Sequence, residues 1–375
     1  MNFSLTDDQR MIRDAAADFL AQTHDSAALR AAADSAGGFD VRLWTQIGAE
    51  LGWCATAIPE AYGGLGLGQV ELALLLEQMG RRQLCSPFFS SVVLAATALQ
   101  SLGSAAALSQ WLPPIASGEL RATLGLAAHG VAVAEPGVRA RREGQGWRLD
   151  GDLAHVPDGV SAELLLVLAR LDESELALFA LPAGTPGLSC SPLQTWDQTR
   201  RLAHVGLKDV QLEAAARVDR GDLSLAALQD FEACAALLLA AEQLGGAQQC
   251  LDLTLAYTAE RAQFGQKIAA FQAVKHRCAE MMVAIESTRS LVYGAAAQAD
   301  SGAEPQAQYL EAGAAKALAS ETFFFCAQEA IQLHGGVGFT WEYDPQLYFK
   351  RAQAGSHWLG TPEQWRERIA AALFD

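Results

Sequence analysis

The sequence predicts an α+β chain in three parts: an all-helical N-terminal domain over residues 1–122, a small antiparallel β domain over 123–222 and a helical bundle over 223–375. Two observations carry this. Apolar residues recur at helical spacing at both ends of the chain, and in the middle they give way to short apolar runs bounded by Gly, Pro and Asp. Strands and helices do not alternate, which argues against a doubly wound dinucleotide-binding domain.

The first helix opens at "SLTDDQRMIRD", with Thr6 as N-cap and Gln9 closing a capping box. Ile12, Ala15, Ala16 and Phe19 then share one face. "IPEAYGGLGLG" breaks the pattern with Pro59 and a glycine cluster, and "QVELALLLEQMGRR" resumes it. That cluster lacks the GxGxxG spacing and follows no strand, so it is not a dinucleotide fingerprint. "ATLGLA", "LLLVLA" and "LALFAL" read as strands of the middle part. Beyond residue 223, "LQDFEACAALLLAAEQLGGAQQCLDLTLAYTAERAQF" reads as one helix of roughly ten turns at 3.6 residues each. Gly245 and Gly246 inside it cost about 1 kcal/mol each unless another backbone comes close. Two more long helices follow, and a last one starts at "TPEQ", with Thr361 as N-cap, Pro362 at its first position and Gln364 closing the box.

At 375 residues the chain is long enough for two or three structural units. A net charge of −16 speaks against nucleic acid as a partner. Seven cysteines lie scattered without a CxxC, the pattern of a reducing cytoplasm with no disulfide framework or zinc site. No apolar run is long enough for a bilayer, and "MNFSLTDDQR" lacks the features of a signal peptide.

The segment "RAQFGQKIAAFQ" carries the first functional signal. Read as a helix end, Gly265 stops the long helix, Arg261 lies in its last turn and Gln272 in the first turn of the next. In "QLHGGVGF", Gln332 precedes Gly335 and Gly336 at a second helix end. Arginine prefers phosphate, and glycines let a backbone approach a ligand. Singly, each residue fits a surface ion pair or a plain turn. Together they suggest a grip on a pyrophosphate and a ribityl chain.

At these residues the sequence resembles the acyl-CoA dehydrogenase family. "YTAERAQFGQKIAAFQAVKHRCAEM" is similar to its Glu-Arg-x-x-Phe-Gly…Phe-Gln segment, and "IQLHGGVGFTWEYDPQLYFKRA" to its Gln-x-x-Gly-Gly-x-Gly-Phe segment. "LTDDQRMIRD" and "IPEAYGGLGLG" resemble its first helix and first loop. The resemblance implies a C-terminal four-helix bundle, FAD, an acyl-CoA substrate and an oligomer, usually a tetramer. It implies FAD contacts at Arg261, Phe264, Gln272, Gln332, Gly335, Gly336, Thr361 and Glu363, several of them reaching the FAD of a neighbouring subunit. An electron-transfer flavoprotein is the implied acceptor.

The family's chemistry takes the α proton of a thioester with a carboxylate while the β hydrogen leaves as hydride. The matching positions here are Leu359, in "SHWLGTPEQ", and Ala235, on the long helix. Neither can accept a proton. Glu232 is the remaining candidate nearby, with Glu242 and His357 behind it, although each fits an ordinary ion-paired or hydrogen-bonded side chain. In the family's Thr-Glu-Pro…Gly-Ser-Asp segment, here "VAEPGVRARREG", Ala134 stands for the Thr and only Glu135 and Pro136 match. Its flavin-bonding Trp-Ile-Thr falls on His155–Pro157, and proline offers neither hydroxyl nor N–H. Three functions follow: an acyl-CoA dehydrogenase, a non-catalytic chain that completes the FAD site of an α2β2 enzyme, or a flavin monooxygenase on the same fold.

Overall fold

The computed structural model describes residues 4–126, 136–171, 175–221 and 223–374. The chain divides into two compact units, each discontinuous in sequence: Met1–Ala31, Gln69–Leu84 and Ala236–Asp375 form one, Ala32–Gly68 and Cys85–Ala235 the other.

The first unit is helical. Helix α1 (Asp7–Thr23) begins at the predicted capping box, with Gln9 N–H donating to Thr6 Oγ1 and Thr6 N–H to Gln9 Oε1. After α2 (Ser26–Asp34) and, in the second unit, α3 (Val41–Thr45), α4 (Gln69–Arg81) packs on α1 with most of its length buried. Between α4 and the long helices below come α5 (Thr97–Leu102) and α6 (Ala105–Ala116) of the second unit. Helix α7 (Leu225–Glu260) is a single run of 36 residues, ten turns as predicted. It is followed by α8 (Gln272–Asp300), α9 (Pro305–His334), α10 (Pro345–Ser356) and α11 (Pro362–Phe374). Helix α9 is the hub, packing on α8, α10 and α11.

Of the two glycines inside α7, Gly245 has the reason anticipated for it. A Cβ at Gly245 would stand 1.8 Å from the Glu77 carbonyl oxygen, and one at Gly80 would stand 1.9 Å from that of Glu242. The backbones of α4 and α7 therefore touch at two reciprocal points. Gly246 instead faces the ring of Phe323, 2.4 Å from where its Cβ would be. Beside this contact Glu77 is buried and fully engaged. Arg289 pairs with its carboxylate, Tyr293 Oη donates to it at 2.5 Å, and Arg289 also donates to Gln248 Oε1 at 2.8 Å. Burial, then the neighbouring Glu77 charge, push the Tyr293 phenol up.

The second unit holds the β domain. Its strands are β1 (Ala122–Gly125), β2 (Val138–Glu143), β3 (Gly146–Pro157), β4 (Leu164–Arg170), β5 (Leu176–Pro182), β6 (Leu188–Pro192) and β7 (Leu202–Leu212). They form one sheet in the order β1-β4-β2-β3-β7-β6, with β5 on β4. Pairing is antiparallel apart from β1 and β2, which run parallel to β4. Alternate residues make its core: Leu165, Val167 and Ala169 of β4 face Leu181, Phe179 and Ala177 of β5. The three runs read as strands are β1, β4 and β5.

Candidate functional site

Helix α7 ends at Glu260, earlier than expected, and Gly265 is not its cap. Ala262–Gln263 pairs antiparallel with Gln266–Lys267 as a hairpin, β8 and β9. Phe264 (φ 52°) and Gly265 (φ 80°) form its two-residue tip. Positive φ at both central residues is what a type I′ hairpin needs, and Gly265 supplies it without strain. Arg261 is thus the first residue past the helix, its carbonyl accepting from Ile268 N–H at 2.9 Å where the hairpin returns. Its side chain is exposed and has no partner among the described residues. Phe264 is 91 % exposed. Gln272 opens α8 as expected, exposed and with its amide uncommitted among the described residues.

A second turn closes α9. Gly335 (φ 63°) caps the helix, its N–H donating to the Gln332 carbonyl. A Cβ at Gly335 or Gly336 would meet nothing within 4 Å. Gln332 is exposed as well. Packing among the described residues therefore explains neither the glycines nor the polar heads of Arg261, Gln272 and Gln332. Open backbone, with one guanidinium and two amides that have no partner among the described residues, is a donor set that suits a dinucleotide's phosphates and hydroxyls.

Immediately inside these two turns lie three rings. Tyr257, whose carbonyl accepts from Arg261 N–H at 2.9 Å, stacks on His334 with centroids 4.3 Å apart and planes at 20°. Tyr343 stands edge-on to both, at 6.0 Å and 6.1 Å. His334 Nδ1 donates to the Ala330 carbonyl at 2.6 Å.

The third segment is the turn between α10 and α11. Leu359 holds a left-handed backbone (φ 53°) and Gly360 follows at 95°. Buried donors fix their carbonyls: Trp365 Nε1 donates to Leu359 O at 2.7 Å, and Lys316 Nζ to Gly360 O at 2.6 Å and Ser356 O at 2.8 Å. Lys316, on α9, is 0 % exposed, and burial pushes its ammonium down to about 7. Nothing in the sequence reading picked it out, although a lone lysine in the small apolar run "EAGAAKALAS" is the signal that could have. Thr361 spends its hydroxyl and N–H on the capping box with Gln364, and Glu363 is exposed in the first turn of α11. Its own backbone amide, then the Thr361 hydroxyl, hold the Glu363 carboxyl below its usual range.

Leu359 is 7 % exposed and Ala235 is fully buried, so apolar side chains occupy both positions. Glu232 is buried. Glu242 is committed to Arg351, with Nη1 and Oε1 2.7 Å apart and both residues buried. His357 is exposed at the end of α10, its Nε2 3.3 Å from Gln353 Nε2. In the β domain, Ala134 and Glu135 lie outside the described residues. His155 is exposed with φ 58°, and the buried Pro157 accepts from Thr123 Oγ1 through its carbonyl at 2.6 Å.

Residues 6–119 match the acyl-CoA dehydrogenase N-terminal domain model, and residues 229–374 match the acyl-CoA dehydrogenase C-terminal domain model. The chain belongs to the acyl-CoA dehydrogenase family. It is therefore related to oxidoreductases, and the family points to a flavin. Acyl-CoA dehydrogenase IpdE2 of Mycolicibacterium smegmatis is 32% identical over 370 residues, covering 99% of this chain and 100% of that protein. Among solved structures, the Tcur3481-Tcur3483 steroid ACAD is 32% identical with a TM-score of 0.87, covering 98% of this chain and 97% of that one. The ChsE4-ChsE5 complex of Mycobacterium tuberculosis is 27% identical with a TM-score of 0.89, covering 100% and 99%. Among the described residues no helix is long and apolar enough to cross a membrane.

Proposed function

We propose that this acyl-CoA dehydrogenase acts with FAD in the α,β-dehydrogenation of an acyl-CoA thioester. The observation that carries this is the set of exposed groups without partners among the described residues on two helix-end turns: Arg261, Gln272 and Gln332 beside the open backbone of Gly335–Gly336. Arg261 would hold phosphate, the two glutamines would hydrogen-bond hydroxyls or carbonyls, and Phe264 would cover part of the cofactor. The flavin supplies a two-electron acceptor for the β hydrogen. Thr361 and Glu363 belong to the proposed contact set too, as the residues that open α11. A bulky, steroid-type acyl group is the proposed substrate, supported by likeness to a structure named as a steroid acyl-CoA dehydrogenase. An electron-transfer flavoprotein as acceptor, a cytoplasmic setting and an oligomeric state complete the proposal.

A second reading is favoured by one specific observation. Leu359 and Ala235 leave the α proton without a base, while the two turns keep their polar groups. This chain then completes the FAD site of a partner chain that carries the base. Two similar structures named as pairs of different chains support it.

The test is flavin content and affinity of the purified assembly, followed by anaerobic titration with several acyl-CoAs. Losing a charge-assisted arginine–phosphate contact costs about 1.5–3 kcal/mol, so Arg261→Ala is expected to weaken FAD binding roughly ten- to a hundredfold. An unchanged FAD dissociation constant in the assembled variant would remove Arg261 from the site. Rapid flavin reduction of the unmodified homomer by an acyl-CoA would exclude the non-catalytic reading.

A further inference from the structure

Arg261 and the Gly335–Gly336 step follow the ends of different helices, 74 residues apart along the chain. A ligand gripped by both needs them held at one spacing. The only covalent link is the chain through α8 and α9, far too long to fix it. We infer that His334 and Tyr257 are positioning residues, a stacked ring pair that locks the Arg261 turn to the Gly335–Gly336 turn so that both meet the cofactor in register. This rests on the FAD reading above.

The placement is what such a lock requires. Tyr257 sits one helical turn before Arg261, joined to it by the 2.9 Å backbone bond, and His334 directly precedes Gly335. A stack with centroids 4.3 Å apart and planes at 20° joins the last turn of α7 to the last turn of α9 at the points where both helices stop. The His334 ring cannot swivel freely, because Nδ1–H donates to the Ala330 carbonyl one turn back. Burial holds the imidazole below its ordinary range, which keeps the neutral ring in the stack. Tyr343 closes the third side. Its carbonyl accepts from Arg30 Nη2 at 3.2 Å, and the next residue, Asp344, pairs with Arg30 at 2.6 Å and accepts from Ser26 Oγ at 2.7 Å. The ring cluster is thereby tied to α2 as well. His334 is buried and Tyr257 half-buried, so the stacked pair does not present the exposed polar surface of Arg261 or Gln332, and its work is geometric.

The experiment uses the full-length assembled protein, stripped of flavin and titrated with FAD, as wild type, His334→Ala, His334→Phe, Tyr257→Ala and the double alanine variant. Stacked aromatic pairs are worth about 0.5–1.5 kcal/mol, so each alanine change is expected to weaken FAD roughly three- to tenfold. His334→Phe keeps the stack and is expected to stay within about twofold of wild type on the same scale. The double variant is expected to lose no more than the worse single one, since either change opens the same lock. Amide exchange on flavin-free protein is the second readout: residues 261–266 and 335–338 should both exchange faster in His334→Ala and recover in His334→Phe. A ring pair that only stabilises the fold would lower Tm and leave the FAD constant of the folded protein unchanged, which overturns the inference. So would additive losses, or faster exchange in one segment alone. If wild type takes up no FAD, the cofactor reading falls, and the exchange experiment still decides whether the two turns are coupled.

Discussion

Gly245→Ala tests the closest approach in the fold. Helix propensity alone favours the change by about 1 kcal/mol. The structure opposes it. The new Cβ would stand 1.8 Å from the Glu77 carbonyl oxygen and 2.9 Å from the Arg81 nitrogen, both of them backbone atoms that no rotamer change can move. Reaching an ordinary contact means drawing α4 away from α7 by roughly 1.5 Å. A gap of that size forfeits about half or more of the dispersion energy across the contact. Overpacking of this kind costs about 1–3 kcal/mol, and Glu77, which moves with α4, also carries the pairing to Arg289 and Tyr293. The expected net loss is about 2–4 kcal/mol. With about 2.1 cal/mol/K of unfolding entropy per residue, that lowers Tm by roughly 3–5 °C. Gly80→Ala should behave alike, its Cβ falling 1.9 Å from the Glu242 carbonyl oxygen. The double variant should lose little more than either single one, because one separation makes room for both methyls. Gly355→Ala is the control, since its Cβ would meet only Gln243 Nε2, at 3.3 Å. Melting of Gly245→Ala at or above the wild-type temperature would refute the argument from close approach.

Three further outcomes are expected. Lys316 has a folded-state pKa of about 7 against an ordinary 10.5. The unfolded chain therefore binds more protons between those values, and stability should climb with pH above 7 by at most about 1.4 kcal/mol per unit. Melting from pH 7.5 to 8.5 checks this, and Lys316→Met should lose that slope; equal slopes in the two proteins would contradict it. Leu359→Glu or Ala235→Glu should raise the rate of flavin reduction by an acyl-CoA, because a positioned base is worth about 10²–10⁴-fold. Stopped-flow absorbance reads this directly, and flavin that stays oxidised with cofactor and thioester both bound would show that more than the base is missing. Gly265→Val, which puts a β-branched residue at φ 80° in the hairpin tip, should cost over 1 kcal/mol and disorder the Arg261 turn, read as lost flavin affinity.

What the sequence made legible was local. Both capping boxes, Thr6 with Gln9 and Thr361 with Gln364, need partners only three residues apart, and both form. The ten turns of α7 follow from a long run with no proline to stop it, and Gly245 inside it from the penalty it would otherwise carry. The turn at Phe264–Gly265 misled because a glycine after an apolar run signals a helix end as well as a hairpin tip. What decides is the pairing of Gln263 with Gln266, which periodicity does not encode. Long-range partners were invisible for the same reason. Asp300, at the end of α8, accepts from Gln69 and Val70 N–H at 2.7 and 3.0 Å and so caps α4 from 230 residues away. Arg351 with Glu242, and Lys316 with its two carbonyls, are likewise set by packing. At the candidate site, residue identity exposed the empty base positions. The ring stack behind the turns came only with coordinates.

The buried Lys316 bears on chemical self-defence. A protein that works among acyl-CoA thioesters lives in a solution of acylating agents, and the amine they attack is the unprotonated one. Most lysines are protected by their charge at neutral pH. Lys316 has lost part of that protection, since burial pushes its ammonium down to about 7. What shields it is enclosure: no solvent reaches the side chain, and two backbone carbonyls hold its nitrogen. Its acylation therefore requires the turn at Leu359–Gly360 to open first. An acylated Lys316 could not donate to both carbonyls again, so each such event would trap the turn open. Mass-spectrometric occupancy at this one lysine would accumulate with the age of the protein and record how often that turn has come apart.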